Sequence, residues 1–260
     1  MLRAPMAIAT APARPTGFAA TERKDAWWVA PVTQGAILAV LICYANWAAL
    51  QGVNYEVPHP GGGGLLSPFY SPLIIIPWWH YSPALLILVF PILFRATCYY
   101  YRKAYYRSYF LDPPACAVGE LRGHGYRGET AFPLILQNLH RYLFYATFVY
   151  LFFLWWDVIN SMRYGSSFGL SVGTFVLLAS TGALTGYSFS CHSARHLVGG
   201  RLDCFSCSAS ARTRHALWRG VSRLNEHHMF FAWVSFFAVC SADLYVRLVA
   251  AGVIQDIRII

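Results

Sequence analysis

Thr33 to Gly52 reads TQGAILAVLICYANWAALQG, twenty residues without a charged side chain. A bilayer core of ~30 Å takes about this length of helix, and in lipid only a helix or a closed barrel satisfies its own backbone donors and acceptors. Outward from it, four more apolar stretches of similar length follow, at 81 to 101, 132 to 157, 168 to 191 and 228 to 252. The expectation is an all-α integral membrane bundle of five transmembrane helices. Its parts are a mobile basic cytoplasmic tail over 1–30 and a five-helix anchor domain over 31–260.

Charge orients the bundle. Basic residues crowd the N-terminus (Arg3, Arg14, Arg23, Lys24), the segment after the second stretch (Arg102, Lys103, Arg107, Arg122, Arg127) and the one after the fourth (Arg195, Arg201, Arg212, Arg214, Arg219, Arg223). Gln51 to His80 has no Lys or Arg. Positive charge stays on the inner side, so the N-terminus is expected to be cytoplasmic and the C-terminus outside. The net charge of +9 is thereby a topology signal. No basic, aromatic-interleaved soluble domain accompanies it, which argues against a nucleic-acid partner and for lipid headgroups or an acidic protein face. The first 25 residues lack the apolar core of a signal peptide.

Between the first two stretches, Pro58, Pro60 and the run Gly61 to Gly64 exclude a helix, and Trp78, Trp79, His80 and Tyr81 read as an interfacial belt. No internal repeat and no pair of broken helices suggests a transporter. Asp157 and Asp243 fall toward outer ends of spans, positions that water reaches, so an ion relay through the middle is poorly supported. A transporter or a purely structural anchor is the competing class.

Sulfur and imidazole gather at the cytoplasmic ends. Cys98 lies four residues before Arg102, Cys191 four before Arg195, and His228 five after Arg223. At ~1.5 Å per residue each is about 6 to 8 Å inward of its basic flank. His140 stands next to Arg141, somewhat deeper in the third stretch. Two thiolates and two imidazoles in one layer are the ligand set of a Rieske-type 2Fe-2S centre. Two other groups compete: His192 with His196, on one helical face, and the Cys-x-x-Cys of Cys204 and Cys207. Haem b held by His140 with His192 or His228 is the rival cofactor, but it leaves Cys98 and Cys191 without a task. Cys43 and Cys240 read as small packing residues, and His196 and His215 as helix-end hydrogen-bonding groups as readily as ligands. Tyr99, Tyr100, Tyr101, Tyr105, Tyr106 and Trp218 form either an interfacial belt or a wedge for a quinone head, and no quinone-binding residue is assigned.

Several strings carry a family resemblance: FRATCYYYRKAYYR (Phe94 to Arg107), PPACAV (Pro113 to Val118), FPLILQNLHRY (Phe132 to Tyr142), SCHSARHLVGG (Ser190 to Gly200) and LNEHHM (Leu224 to Met229). Together the chain resembles, over roughly 80 to 250, the membrane-anchor subunit of actinobacterial-type succinate dehydrogenase, respiratory complex II. The resemblance implies a flavoprotein partner that oxidises succinate, an iron-sulfur partner that carries electrons to this anchor, and menaquinone as acceptor in the cell membrane. It marks Cys98, Cys116, His140, Cys191, His192, His196 and His228 as family positions, and likeness to mycobacterial members favours the Rieske-type cluster over haem. The chain departs from the common CHSCRH pattern at Ala194 and adds thiols at Cys204 and Cys207, so two Cys pairs stand as alternatives.

Overall fold

The structure, a computed structural model, describes residues 17, 19–111, 113–119, 128–132 and 134–260. Arg3, Arg14, Arg122 and Arg127, with most of the N-terminal tail, lie outside the described residues. By contact the chain forms two compact units, Met1–Ala36 with Lys103–Tyr126, and Ile37–Arg102 with Arg127–Ile260.

In the first unit, backbone strung along 20–23 is tied to 116–119. Gly119 N donates to the Ala20 carbonyl at 2.8 Å, Thr21 Oγ1 to the Ala117 carbonyl at 2.8 Å, and Arg23 to the Cys116 carbonyl at 2.9 Å. A short π-helical turn, Tyr106–Phe110, ends at Leu111 in the left-handed region (φ 54°).

Among the described residues four helices are long and apolar enough to cross a membrane. They are α1 (Val29–Gln51), α5 (His140–Ser161, led by a 3-10 stretch from Leu134), α6 (Val172–Phe189) and α9 (His228–Ala250). The expected span over 81 to 101 is instead three consecutive pieces, α2 (Ala84–Ile87), α3 (Val89–Ala96) and α4 (Tyr99–Tyr105). The break between α3 and α4 falls at Thr97 and Cys98. Thr97 bonds its hydroxyl back to the Leu93 carbonyl at 2.8 Å, a local contact that bends helices. Two further helices, α7 (His192–Gly199) and α8 (Ala209–Glu226), join α6 to α9.

The second unit is built on α5, α6 and α9. Lipid is as apolar as a leucine side chain, so helices in a membrane associate through close packing and polar contacts, not through hydrophobic burial. The buried seam of α6 is accordingly Gly173, Thr174, Leu177, Ser180, Thr181, Leu184 and Tyr187, and that of α9 is Ala232, Ser235, Val239, Ala242 and Val246. At Gly186 a Cβ would stand 2.6 Å from the Phe231 ring, so glycine lets α9 come close there.

The Gly61 to Gly64 run turns a hairpin between β1 (Glu56–Pro58) and β2 (Gly64–Leu66), with Pro58 opposite Gly64. Gly64 has φ 150°, and a Cβ there would meet the Val57 carbonyl oxygen at 2.5 Å. The hairpin inserts Leu65 among Val158, Leu177, Ala242 and Val246, one residue to three spans. Beside it, Asp243 is fully buried and paired, which corrects the expectation of a water-reached acid. It accepts from Arg247 Nε at 2.7 Å, Tyr44 Oη at 2.6 Å and the Ser67 hydroxyl, while Arg247 donates to the Ala48 and Val53 carbonyls at 2.5 and 2.9 Å. A charge in apolar surroundings is tolerable only when paired in this way, and Arg247 also reaches one carbonyl in the last turn of α1 and one just beyond it. Asp157 is half-buried and accepts from the Ser71 hydroxyl.

Candidate metal centre

Each of the four first-choice residues sits where a helix starts or breaks. His140 and His228 are the first residues of α5 and α9, Cys98 lies in the break between α3 and α4, and Cys191 is the N-cap of α7, its sulfur accepting from Ser193 N at 3.4 Å. The side chains meet in two pairs. His140 Nε2 is 3.0 Å from Cys191 Sγ, and His228 Nε2 is 3.5 Å from Cys98 Sγ. Cys98, Cys191 and His228 are 1%, 2% and 2% exposed.

The hydroxyl partners point to one imidazole tautomer. Thr97 Oγ1 lies 3.0 Å from His140 Nδ1 and Ser190 Oγ 2.7 Å from His228 Nδ1. A hydroxyl has one proton to give. Thr97 gives its proton to the Leu93 carbonyl, and Ser190 gives its own to the Tyr187 carbonyl at 3.0 Å. Both imidazoles therefore donate from Nδ1, and both present a bare Nε2 to a sulfur. That is the tautomer a metal-ligating histidine needs, fixed by an outer hydrogen bond. The rings are also clamped by stacking, His140 on Phe94 (centroids 4.5 Å, 5° between planes) and His228 on Tyr187 (5.1 Å, 12°).

A cavity of about 280 Å³ opens onto the two pairs, lined by Thr97, Tyr99, Tyr100, His192 and the four residues themselves, with Arg102, Glu129, Gln137 and Asn138 also on its wall. Arg102 forms an ion pair with Glu129 and stacks over Tyr99 at 5.0 Å. That bond to the guanidinium holds the Glu129 carboxyl below the usual carboxylate range.

Comparison with known proteins gives the frame for this geometry. The family described as actinobacterial succinate dehydrogenase subunit SdhC matches residues 29–252. The chain belongs to the actinobacterial SdhC family. This SdhC-family chain is thus a membrane-anchor subunit of succinate dehydrogenase, crossing the cell membrane several times. It is similar to a chain of the Mycobacterium smegmatis Sdh1 complex in the apo form, at 40% identity over 97% of this chain and 96% of that one, with a TM-score of 0.82. No curated protein matches it.

Elsewhere the SdhC-family chain distributes the remaining candidates. Cys204 and Cys207 are joined in a disulfide, and His192 and His196 lie exposed on α7. These alternative residues thus stand in two places, the cysteines in the α7–α8 connection and the histidines on α7. His215 stacks between Phe205 and Trp218 at 4.4 and 5.8 Å. Cys240 is buried, while Cys43 and Cys116 are exposed. Of the tyrosines, Tyr99 and Tyr100 face the cavity; Tyr101 is buried and bonded to Arg95 and the Ala232 carbonyl. Trp218 carries the Arg195 guanidinium at 4.8 Å. Among the described residues no three His, Cys, Asp or Glu side chains already surround one point. The donors stand two by two.

Thr97, Ser190, Phe94, Tyr187 and Arg95 act on the site and were not singled out from sequence. The available signal was adjacency, since Thr97 precedes Cys98 and Ser190 precedes Cys191.

Proposed function

We propose that this chain seats a soluble flavoprotein and iron-sulfur protein of succinate dehydrogenase on the membrane. We further propose that Cys98, His140, Cys191 and His228 hold a Rieske-type 2Fe-2S centre on the electron path to menaquinone. The carrying observation is that two imidazoles of fixed tautomer each turn a bare Nε2 onto a buried thiol. Two thiols and two imidazoles lining one cavity supply the donor set of such a cluster, and they suit haem less, because each Nε2 meets a sulfur. Such a cluster supplies one-electron storage at a potential raised by its imidazole ligands.

The protein's own part is positioning. Thr97 and Ser190 aim the imidazoles, Phe94 and Tyr187 hold their planes, and the helix breaks deliver both sulfurs. Tyr99, Tyr100 and the Arg102–Glu129 pair stand at the cavity, where a quinone head has aromatic walls and a cation at hand. On this reading α2 to α4 together make the fifth crossing, and the N-terminus is cytoplasmic as the basic clusters require. Exposed Arg212, Arg219 and Arg223 of α8 then face the side of the iron-sulfur partner, and charge of this kind sets the orientation of docking.

Electron paramagnetic resonance of the dithionite-reduced complex tests the reading: a signal of low average g, beyond those of the soluble subunits, is expected. His140→Ala/His228→Ala abolishes both that signal and quinone reduction; quinone reduction that survives in the double variant refutes the assignment. Sharp optical α bands in a reduced-minus-oxidised spectrum would give the site to haem b instead. The hydrogen-bonded pairs mix thiol with imidazole, whereas a Rieske distribution puts both imidazoles on one iron. Pulsed resonance on ¹⁵N-histidine-labelled complex counts two strongly coupled imidazoles for that distribution.

A further inference from the structure

A second cavity, of about 400 Å³, opens at the far end of the bundle, walled by residues 57–60 of the β1–β2 hairpin, by Tyr164 and by the chain leaving α9. The 23 residues of α9 begin at His228 in the candidate metal centre and end at Ala250, roughly 33 Å of helix at ~1.5 Å per residue. The cavity therefore lies at the opposite membrane face.

Its most buried polar wall is His59, 8% exposed. His59 Nδ1 lies 3.2 Å from the Arg163 carbonyl, which can only accept, so Nδ1 carries the proton and Nε2 is bare. That Nε2 is buried and has no hydrogen-bond partner among the described residues. A buried acceptor left open calls for a donor. Two charges of opposite sign share the wall without meeting. Asp256 accepts on one oxygen from Gly173 N and Tyr245 Oη, each at 2.8 Å, while Arg258 donates to the Ile260 and Phe168 carbonyls at 2.7 and 3.5 Å. Neither forms an ion pair among the described residues. The same segment carries Val253 and Ile257, 68% and 65% exposed, and Phe168 beside Arg258 is 62% exposed. Large apolar side chains bared at the end of a span are suited to lipid.

We propose that this cavity takes the headgroup of an amine-bearing phospholipid of the phosphatidylethanolamine type. Its ammonium points toward His59 Nε2 and Asp256, its phosphate toward Arg258, and its acyl chains cover the exposed apolar residues. The ammonium brings N–H donors that the bare nitrogen and the carboxylate accept, the latter as a charge-assisted bond, and guanidinium matches phosphate. A choline headgroup has the same charges but no N–H. Tyr164, with the His59 ring at 4.0 Å and the Arg258 guanidinium at 4.4 Å, has no open face on which a quaternary ammonium could rest. A glycerol headgroup brings no cation to Asp256.

The test uses the intact complex, delipidated in detergent and titrated with dioleoyl phosphatidylethanolamine or dioleoyl phosphatidylcholine, with bound lipid counted by native mass spectrometry. One ethanolamine lipid is expected to bind at a concentration about tenfold below that needed for the choline lipid. His59→Phe keeps a ring against Tyr164 and removes the nitrogen, so the preference disappears; Arg258→Gln, at an exposed position, weakens both lipids alike. Wild type that holds the two lipids equally, or holds neither, overturns the proposal without any variant having to assemble. A preference that survives His59→Phe places ethanolamine recognition elsewhere and overturns this site. Soluble O-phosphoethanolamine that binds as tightly as the lipid overturns the lipid as occupant.

Discussion

Nδ1 of His228 lies 2.7 Å from the hydroxyl of Ser190, which has already given its proton to the Tyr187 carbonyl. Ser190→Ala removes the acceptor and lets the imidazole change tautomer. Outer hydrogen bonds of this kind are worth about 10- to 100-fold in metal affinity or activity. The resonance signal expected of this centre in the purified complex should then be lost at a chelator concentration lower by about a factor in that range.

Thr97 serves His140 in the same way, and the replacement can be made nearly isosteric. Thr97→Val keeps the β-branched shape and loses the oxygen; Thr97→Ser keeps the oxygen. Quinone reduction should drop in the valine variant by about 10-fold or more and stay near wild type in the serine variant. Equal loss in both would mean that only packing matters at this position.

Cys204 and Cys207 are paired with one another and not with an imidazole. Cys204→Ser/Cys207→Ser should leave iron content and the resonance signal of the membrane subunit unchanged, whereas Cys98→Ser should remove the signal. The opposite pattern would move the metal to the α7–α8 connection.

Asp243 and Arg247 form a buried pair, with side chains 0% and 7% exposed. Asp243→Ala leaves a buried cation without its partner, a change that costs about 3–5 kcal/mol. The detergent-solubilised complex should show a marked fall in its thermal midpoint. Replacing both partners, as Asp243→Leu/Arg247→Met, should recover much of the loss, since a well-packed apolar pair avoids the desolvation cost.

Glu129 is exposed and bonded to Arg102, so its lowered pKa has a small effect on stability. The sign follows from linkage. A carboxyl lowered in the folded state contributes above its unfolded value and loses that contribution as pH falls through the folded one. Wild type should exceed Glu129→Gln in stability by about 1 kcal/mol or less at neutral pH, with the gap closing below about pH 4. Thermal melts of both across that range measure it.

Sequence carried the apolar crossings well, because composition alone decides whether twenty residues can sit in lipid. Four of the five stretches are helices long enough to cross. The stretch from 81 to 101 looked continuous because hydropathy does not register a threonine bonding back to Leu93, a contact that bends helices and sits at the break between α3 and α4. That Cys98, His140, Cys191 and His228 gather was legible from their common depth beside arginines. Their pairing was not: which imidazole meets which sulfur depends on helix rotation, and the apolar faces of α5 and α9 are too uniform to fix it. Asp243 was misjudged for a related reason, since its partners Tyr44 and Ser67 come from 199 and 176 residues away.

Thr97 and Ser190 each spend a proton on the preceding turn and a lone pair on an imidazole. Glycine or asparagine could interrupt the helix there without aiming the ring, and glutamine could reach the ring while letting the helix run straight. Only two letters of the amino-acid alphabet meet both demands, so positions 97 and 190 have almost no room to drift.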